Sequence, residues 1–303
     1  MRKTAREDLK KFCVALLLLC AISGLAKADQ TLQVGKATIH IEAAADLPVS
    51  ERDITAWVLR AAVAVTNYLG RYPVNTLYIG IRPGGDEPLN GGVTYGRSRI
   101  NVQFGPNVEP RDLRQDWILT HEMFHLAFPT LEDRDLWMME GLSDYLEPIA
   151  RARVGQLTAR SVWREFAEGL PQGLPTADEG GLDNTPKRER IYWGGNLFWL
   201  LADIQIRVRS NNRRSLDDAI RAILNDGGDG GANWSIKEVI RVGDKATGTA
   251  VLAELYDELG LHRGDIHLDN LWLCLGVVYK NGRVRFDDSA PWAAIRASIT
   301  ARR

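Results

Sequence analysis

The chain has 303 residues, of which 45% are hydrophobic and 25% are charged, and its formal net charge is −1. This apolar fraction excludes an intrinsically disordered chain, and the 28 Gly and 12 Pro residues are too few for a collagen-like or low-complexity protein. The balance of charge predicts no nucleic-acid partner. Because there are only three Cys, a disulfide-stapled scaffold is also excluded, and we expect a globular protein with an ample core.

Residues 1–28 have the features of a secretory leader. Basic residues up to Lys11 precede an apolar run over 12–22, and the sequence AKA at 26–28 forms an A-x-A cleavage site. The alternative is an uncleaved N-terminal anchor, although the apolar run is shorter than a membrane span. We therefore predict a signal peptide over 1–28 and a periplasmic or secreted mature chain with no membrane segment, in which Cys274 is the one remaining cysteine.

Strand patterns come first along the mature chain. Residues 30–43 alternate between apolar and polar side chains as a strand pair does, and Ser50 is a candidate N-cap for a helix that runs to Tyr68. Further strand patterns cover 74–83 and 93–104. Since the strands precede most of the helices, the pattern predicts an α+β fold. We divide it into a strand-rich lobe (29–108), a helical lobe (109–260) and a C-terminal hairpin and helix (261–303).

Helix patterns dominate the second half of the chain. Apolar residues recur with a period near 3.6 over 111–128, which predicts one continuous helix that Pro129 ends. The dipeptide Asn281-Gly282 predicts a type I′ hairpin turn. The segments 170–188 and 227–231 are rich in loop-forming residues, and we interpret the second as a flexible connector. The remaining predicted helices cover about 135–153, 195–208, 215–225, 235–241 and 248–259.

Two of the five His lie four residues apart, with a Glu after the first, in the sequence HEMFH at 121–125. Residues four apart share one face of a helix, so the imidazoles of His121 and His125 are placed to bind one Zn²⁺. Glu122 is rotated by one position and is the candidate general base for the attacking water. The alternative is a pair of surface His residues beside a solvated Glu.

A zinc site needs a third protein ligand. Glu140 is the best candidate, because Pro129 ends the first helix and a short loop allows the next helix to return alongside it. Asp144 lies one turn further on the same face, where it can accept a hydrogen bond from a ligand His. Glu132 and Glu147 are fallback ligands.

The motif HExxH followed by W-x-x-E-G-x-x-x-Y at 137–145 resembles the gluzincins, zinc metallopeptidases whose third ligand is a Glu. The sequences YWGG at 192–195 and RSLDD at 214–218 resemble the glycyl-aminopeptidase-like branch. The resemblance implies a thermolysin-like zincin fold, in which an N-terminal mixed sheet and the HExxH helix precede a mostly helical lobe. It also implies zinc as cofactor and a peptide or protein as substrate.

The resemblance further implies a role for individual residues. His121, His125 and Glu140 would bind zinc, with Glu122 as general base. The Tyr192 hydroxyl would donate a hydrogen bond to the oxyanion, although a packing role beside neighbouring Trp side chains is the alternative. The substrate-binding edge strand of the relatives corresponds to Gly91, Gly92 and Val93, for which a plain Gly turn is the alternative.

One departure from the aminopeptidases bears on function. Relatives of that type carry acidic or His residues near the edge strand to hold the free amine of the substrate, and the sequence VTYG at 93–96 has none. The choice between endopeptidase and exopeptidase activity therefore stays open. A peptidase-like binding protein with little turnover and a zinc hydrolase of a non-peptide substrate are the competing functions. The sequence does not determine the oligomeric state.

Overall fold

The computed structural model describes residues 30–183 and 185–302, so the predicted signal peptide lies outside the described residues. An N-terminal sheet of five strands has the order β1-β2-β3-β5-β4. The strands β2, β3 and β5 run parallel, whereas β1 and β4 pair antiparallel at the two edges. The strands are β1 (Gln30–Val34), β2 (Ala37–Ala43), β3 (Thr76–Pro83), β4 (Leu89–Tyr95) and β5 (Arg99–Phe104).

Helix α1 (Glu51–Leu69) connects β2 to β3 and provides much of the core of this lobe. The side chain of Ser50 accepts a hydrogen bond from the backbone N–H of Asp53, which makes it the N-cap that the sequence predicts. Residues such as Ile54, Val58 and Val65 are buried, because helical spacing places them on one face.

Helices make up most of the remaining described chain. The long helix α4 (Leu136–Arg153) contributes a buried face to the centre of the lobe and contacts both the following helices and the preceding ones. The predicted α+β organisation is therefore confirmed. The helices are α2 (Pro110–Gln115), α3 (Ile118–His125), α4 (Leu136–Arg153), α5 (Ala159–Gly169), α6 (Gly195–Arg209), α7 (Leu216–Asn225), α8 (Ile236–Thr247), α9 (Val251–Leu255), α10 (Leu268–Leu275) and α11 (Ala293–Ile299).

The prediction of one continuous helix over 111–128 is wrong. The chain breaks at Asp116, whose carboxylate accepts hydrogen bonds from the backbone N–H groups of Ile118 and Leu119 at 2.9 and 3.1 Å. A third hydrogen bond comes from Trp57 Nε1 on α1 at 2.8 Å. Because the Asp116 side chain binds the first N–H groups of the next helix, the preceding helix does not continue through this point. Helix α3 therefore begins as a separate helix after the break. It also ends earlier than predicted, at His125.

Smaller differences concern the ends of elements. Helix α8 continues to Thr247, beyond the predicted end at 241, and a π-helical turn, Tyr256–Leu261, follows α9. The C-terminal hairpin forms as predicted from β6 (Val277–Lys280) and β7 (Arg283–Phe286). Its turn residues Asn281 and Gly282 both have positive φ, at 50° and 71°, as a type I′ turn requires.

The glycine-rich segment 227–231 is packed, contrary to the prediction of a flexible connector. The N–H of Gly230 donates to the carbonyl of Leu126 at the end of α3, at 3.2 Å. Asp229 lies 3.6 Å from Arg97 in the turn between β4 and β5. This segment therefore joins the end of α3 to the edge of the sheet. No helix among the described residues is long and apolar enough to cross a membrane.

Candidate metal centre

The side chains of His121, His125 and Glu140 converge on one point between α3 and α4. His121 Nε2 lies 3.1 Å from His125 Nε2 and 3.2 Å from Glu140 Oε2, and the third separation, from His125 Nε2 to Glu140 Oε2, is 3.7 Å. The ligand atoms of a tetrahedral Zn²⁺ with bonds near 2.05 Å are about 3.3 Å apart. The donor types and their spacing therefore fit a zinc ion.

The local sequence explains why these three side chains meet. The two His residues lie one turn apart on α3, so their rings face the same way. Pro129 lies beyond the end of α3, and the connection 126–135 turns the chain back so that α4 packs against α3. This packing places Glu140, in the second turn of α4, opposite the His pair.

Further polar groups of α4 surround the ligands. Asp144 is buried, and its Oδ1 lies 3.1 Å from His121 Nδ1. Ser143 Oγ lies 3.4 Å from His125 Nδ1. Burial by itself lowers the pKa of His121, but Asp144 and Glu140 outweigh burial and raise this pKa to about 10. The carboxylates of Asp144 and Glu140 therefore stabilise positive charge where the three side chains converge.

Glu122 lies beside the ligands, next to the edge strand β4. Thr94 Oγ1 lies 2.7 Å from Glu122 Oε2 and 2.9 Å from the main-chain oxygen of Glu122. Because a hydroxyl has a single hydrogen, it donates fully to one oxygen at a time, and the charged carboxylate is the stronger acceptor. Gly92 leaves room for this side chain, since a Cβ there would lie 2.5 Å from Glu122 Cγ. Strand β4 therefore holds the Glu122 carboxylate in place.

Thr94 is a site residue that the sequence reasoning missed. Successive side chains of a strand alternate between its two faces, so Gly92 and Thr94 face the same way. The predicted position of Gly92 beside the active site was thus the signal that would have identified Thr94.

Tyr192 lies in a π-helical turn, Arg190–Gly194, that leads directly into α6. Its ring centroid is 6.5 Å from that of His121, and the two ring planes are inclined by 26°. Burial, and then the charge of Glu140, raise the pKa of Tyr192 well above its usual value. The Tyr192 hydroxyl therefore keeps its proton at neutral pH.

Gly91, Gly92 and Val93 lie on β4, whose outer edge pairs with no other strand of the described sheet. The register with β5 shifts between Leu89 and Gly92, and Gly91 has a positive φ of 82°. A left-handed conformation of this kind is strained for residues other than Gly. The edge strand therefore presents free backbone groups next to Glu122.

A cavity of about 550 Å³ adjoins the start of this strand. Leu89, Trp117, Ile118 and Trp193 are among the residues that line it. Trp117 also contacts the candidate ligand His121, with 5.6 Å between the ring centroids. Trp117 thus contacts both the cavity and the group of three converging side chains.

The two fallback ligands lie elsewhere. Glu147 is buried and forms an ion pair with Arg151 at 2.5 Å, one turn further along α4. Glu132 is exposed and pairs with Arg134 at 3.1 Å. Neither belongs to the group of converging side chains.

Solved structures with a similar fold are aminopeptidases and M1 zinc metallopeptidases. They include an aminopeptidase N family protein from Idiomarina loihiensis (TM-score 0.63, 15% identity, covering 83% of this chain and 49% of that one). An M1 zinc metallopeptidase from Deinococcus radiodurans matches with a TM-score of 0.53 and 16% identity, covering 78% of this chain and 52% of that one. Aminopeptidase A from Legionella pneumophila matches with a TM-score of 0.53 and 14% identity, and the match covers 76% of this chain and 27% of that one.

At this level of identity the comparison establishes the fold, which is that of the gluzincin zinc metallopeptidases of M1 type. The predicted fold class is thereby confirmed. The chain spans about half of the first two of these proteins and about a quarter of the third. No family model and no curated protein sequence matches the chain.

Proposed function

We propose that this protein is a zinc-dependent metallopeptidase that hydrolyses peptide bonds. The observation that carries the proposal is the meeting of three potential zinc ligands, His121, His125 and Glu140, beside a carboxylate that is not one of them, Glu122. The zinc metallopeptidases among the structural neighbours support it. The leader-like sequence at 1–28 supports action in the periplasm or outside the cell.

Zinc bound by these three side chains would supply Lewis-acid chemistry, because it polarises a carbonyl group and acidifies water. Glu122 takes a proton from the attacking water and passes it to the leaving amine as the peptide bond breaks. The Tyr192 hydroxyl donates a hydrogen bond to the substrate oxygen that gains negative charge. Thr94 keeps the Glu122 carboxylate in position while it receives the proton.

The substrate would bind as an extended strand along the free edge of β4. Backbone groups of Gly91, Gly92 and Val93 would then pair with the substrate backbone, as in other cases of strand addition to a sheet edge. The adjoining cavity beside Trp117 would accept a substrate side chain. Binding without turnover and hydrolysis of a non-peptide substrate are the two competing functions.

Metal analysis and a cleavage assay together test the proposal. We expect purified wild-type protein to contain close to one zinc per chain and to cleave members of a peptide library, and a chelator should stop the cleavage. His121→Ala should lose the metal, because two ligands bind zinc far more weakly than three. Elemental analysis and mass spectrometry of the library are the measurements, and His40→Ala, on the sheet, is the matched control.

The outcomes separate the competing functions. Wild-type protein that contains no zinc after gentle purification would contradict the metal site itself. Zinc-loaded protein that cleaves no peptide would contradict the peptidase. In that case the binding-protein and non-peptide hydrolase functions would be the ones to pursue.

Thr94→Val removes the hydroxyl that holds Glu122. We expect kcat to fall by about 10–100-fold, the range for a lost hydrogen bond to a charged group, with little change in KM or zinc content. Thr94→Ser should restore most of the activity, because it restores the donor. Steady-state kinetics on one cleaved peptide measures the effect, and Thr76→Val, at an exposed strand position, is the control. An unchanged kcat in Thr94→Val would show that the hydroxyl has no such role.

A further inference from the structure

Arg188 lies against the candidate oxyanion donor. Its guanidinium carbon is 4.9 Å from the centre of the Tyr192 ring, a cation–π distance. Tyr192 is in turn stacked near His121. The Tyr192 ring thus lies between Arg188 and the candidate ligand His121. Arg188 itself is half-buried and lies just before the π-helical turn that carries Tyr192.

The charge of Arg188 has no carboxylate partner within 4 Å among residues 30–183 and 185–302, and its buried Nε has no hydrogen-bond partner there. The buried arginines of this lobe all have partners, although the partner of Arg190 is the main-chain oxygen of Gly180, at 3.0 Å, and not a carboxylate. Arg153 lies 2.6 Å from Asp217, and Arg207 lies 2.9 Å from Asp203. A guanidinium has five N–H donors and normally uses several of them when it is partly removed from water.

We propose that Arg188 binds a carboxylate of the substrate, which is either an acidic side chain or the C-terminal carboxylate. This inference rests on the proposed peptidase function and names its substrate class. The planar guanidinium matches a carboxylate with two parallel hydrogen bonds, and stacking on Tyr192 holds it in one orientation. Because one extended residue spans about 3.3–3.6 Å, the carboxylate lies within about three residues of the scissile bond.

A peptide carboxylate would also balance the charge of Arg188. A bound Zn²⁺ would offset the negative charges of Glu122 and Glu140, so the positive charge of Arg188 would be left over at the site. This charge lies against the ring of Tyr192, apart from the three candidate ligands. An uncharged substrate would leave this cation without a partner.

Matched peptides test the proposal. From a peptide that wild-type protein cleaves, four versions would combine Glu or Gln near the scissile bond with a free or an amidated C-terminus. We expect Arg188→Gln to lower kcat/KM by about 10–100-fold for the versions that carry the recognised carboxylate, with little effect on the neutral versions. Arg188→Lys should recover part of the loss. Arg241→Gln, an exposed arginine on α8, is the control and should change nothing.

The comparison of Glu with Gln and of acid with amide identifies which carboxylate is bound. An equal loss on all four peptides would overturn the proposal, because it would show that Arg188 acts on Tyr192 instead. No loss on any of them would overturn it as well.

The proposal can fail separately from the peptidase function. If wild-type protein cleaves no peptide, calorimetry measures binding of the same four peptides. A wild-type preference for a carboxylate-bearing peptide that disappears in Arg188→Gln supports the proposal without turnover. Equal binding of all four peptides by wild-type protein contradicts it.

Discussion

Glu122→Gln is expected to keep zinc and to lose peptide cleavage by about 100- to 10,000-fold in kcat, the range for a missing general acid–base. The amide is nearly the same size as the carboxylate and can still accept the hydrogen bond from Thr94. It cannot take a proton from water at neutral pH. The three converging ligand atoms belong to other residues, so the metal should stay. Single-substrate kinetics and elemental analysis measure both effects.

Glu258→Gln provides the control, because Glu258 is exposed in the π-helical turn after α9 and the chemical change is the same. Activity of Glu122→Gln within tenfold of wild type would rule out Glu122 as the proton acceptor. Loss of zinc in Glu122→Gln would instead show that this side chain is needed to hold the metal.

Gly141→Ala is expected to destabilise the protein by about 3 kcal/mol or more, at the upper end for overpacking. A Cβ on Gly141 would lie 2.2 and 2.3 Å from the backbone C and Cα of Gly195, where α4 packs against α6. Both obstacles are backbone atoms, so no side chain can move aside. The usual gain from replacing Gly by Ala inside a helix is only about 1 kcal/mol, so the clash decides the sign.

The loss should lower the Tm by about 6–12 °C, measured by scanning calorimetry. Zinc affinity should fall as well, because Glu140 precedes Gly141 and moves with the helix. Gly180→Ala is the control, since a Cβ there has no neighbour within 4 Å and the backbone is not left-handed. A Tm for Gly141→Ala equal to that of the control would show that the two helices separate without cost.

Local patterns predicted most of the elements. The strand pair over 30–43, the N-cap Ser50 and the Asn281-Gly282 turn are all set by neighbouring residues, and the structure has them. The break at Asp116 could not be predicted in this way. The apolar period continues through it, and the carboxylate is fixed partly by Trp57, which lies 59 residues away in sequence.

In the candidate site, too, the contacts between neighbouring elements could be predicted, whereas those between residues far apart in sequence could not. The spacing of HExxH and the following Glu140 placed three side chains that the structure brings together, because two adjacent helices are enough to do so. Thr94 meets Glu122 across 28 residues, through the packing of a strand on a helix. Arg188 is identified as an unusual residue only by its surroundings, since a single Arg in a polar segment carries no sequence signal.

The helix that carries both His residues is fastened at each end by the protein itself. Asp116 holds its first turn and ties it to Trp57, and Gly230 binds the carbonyl of Leu126 at its end. We therefore expect this helix to hold its two His residues in place before a metal binds, in contrast to zinc fingers, which are unfolded without metal. Bound zinc would then stabilise the chain by mass action, and we expect it to exchange with other divalent ions while the protein stays folded.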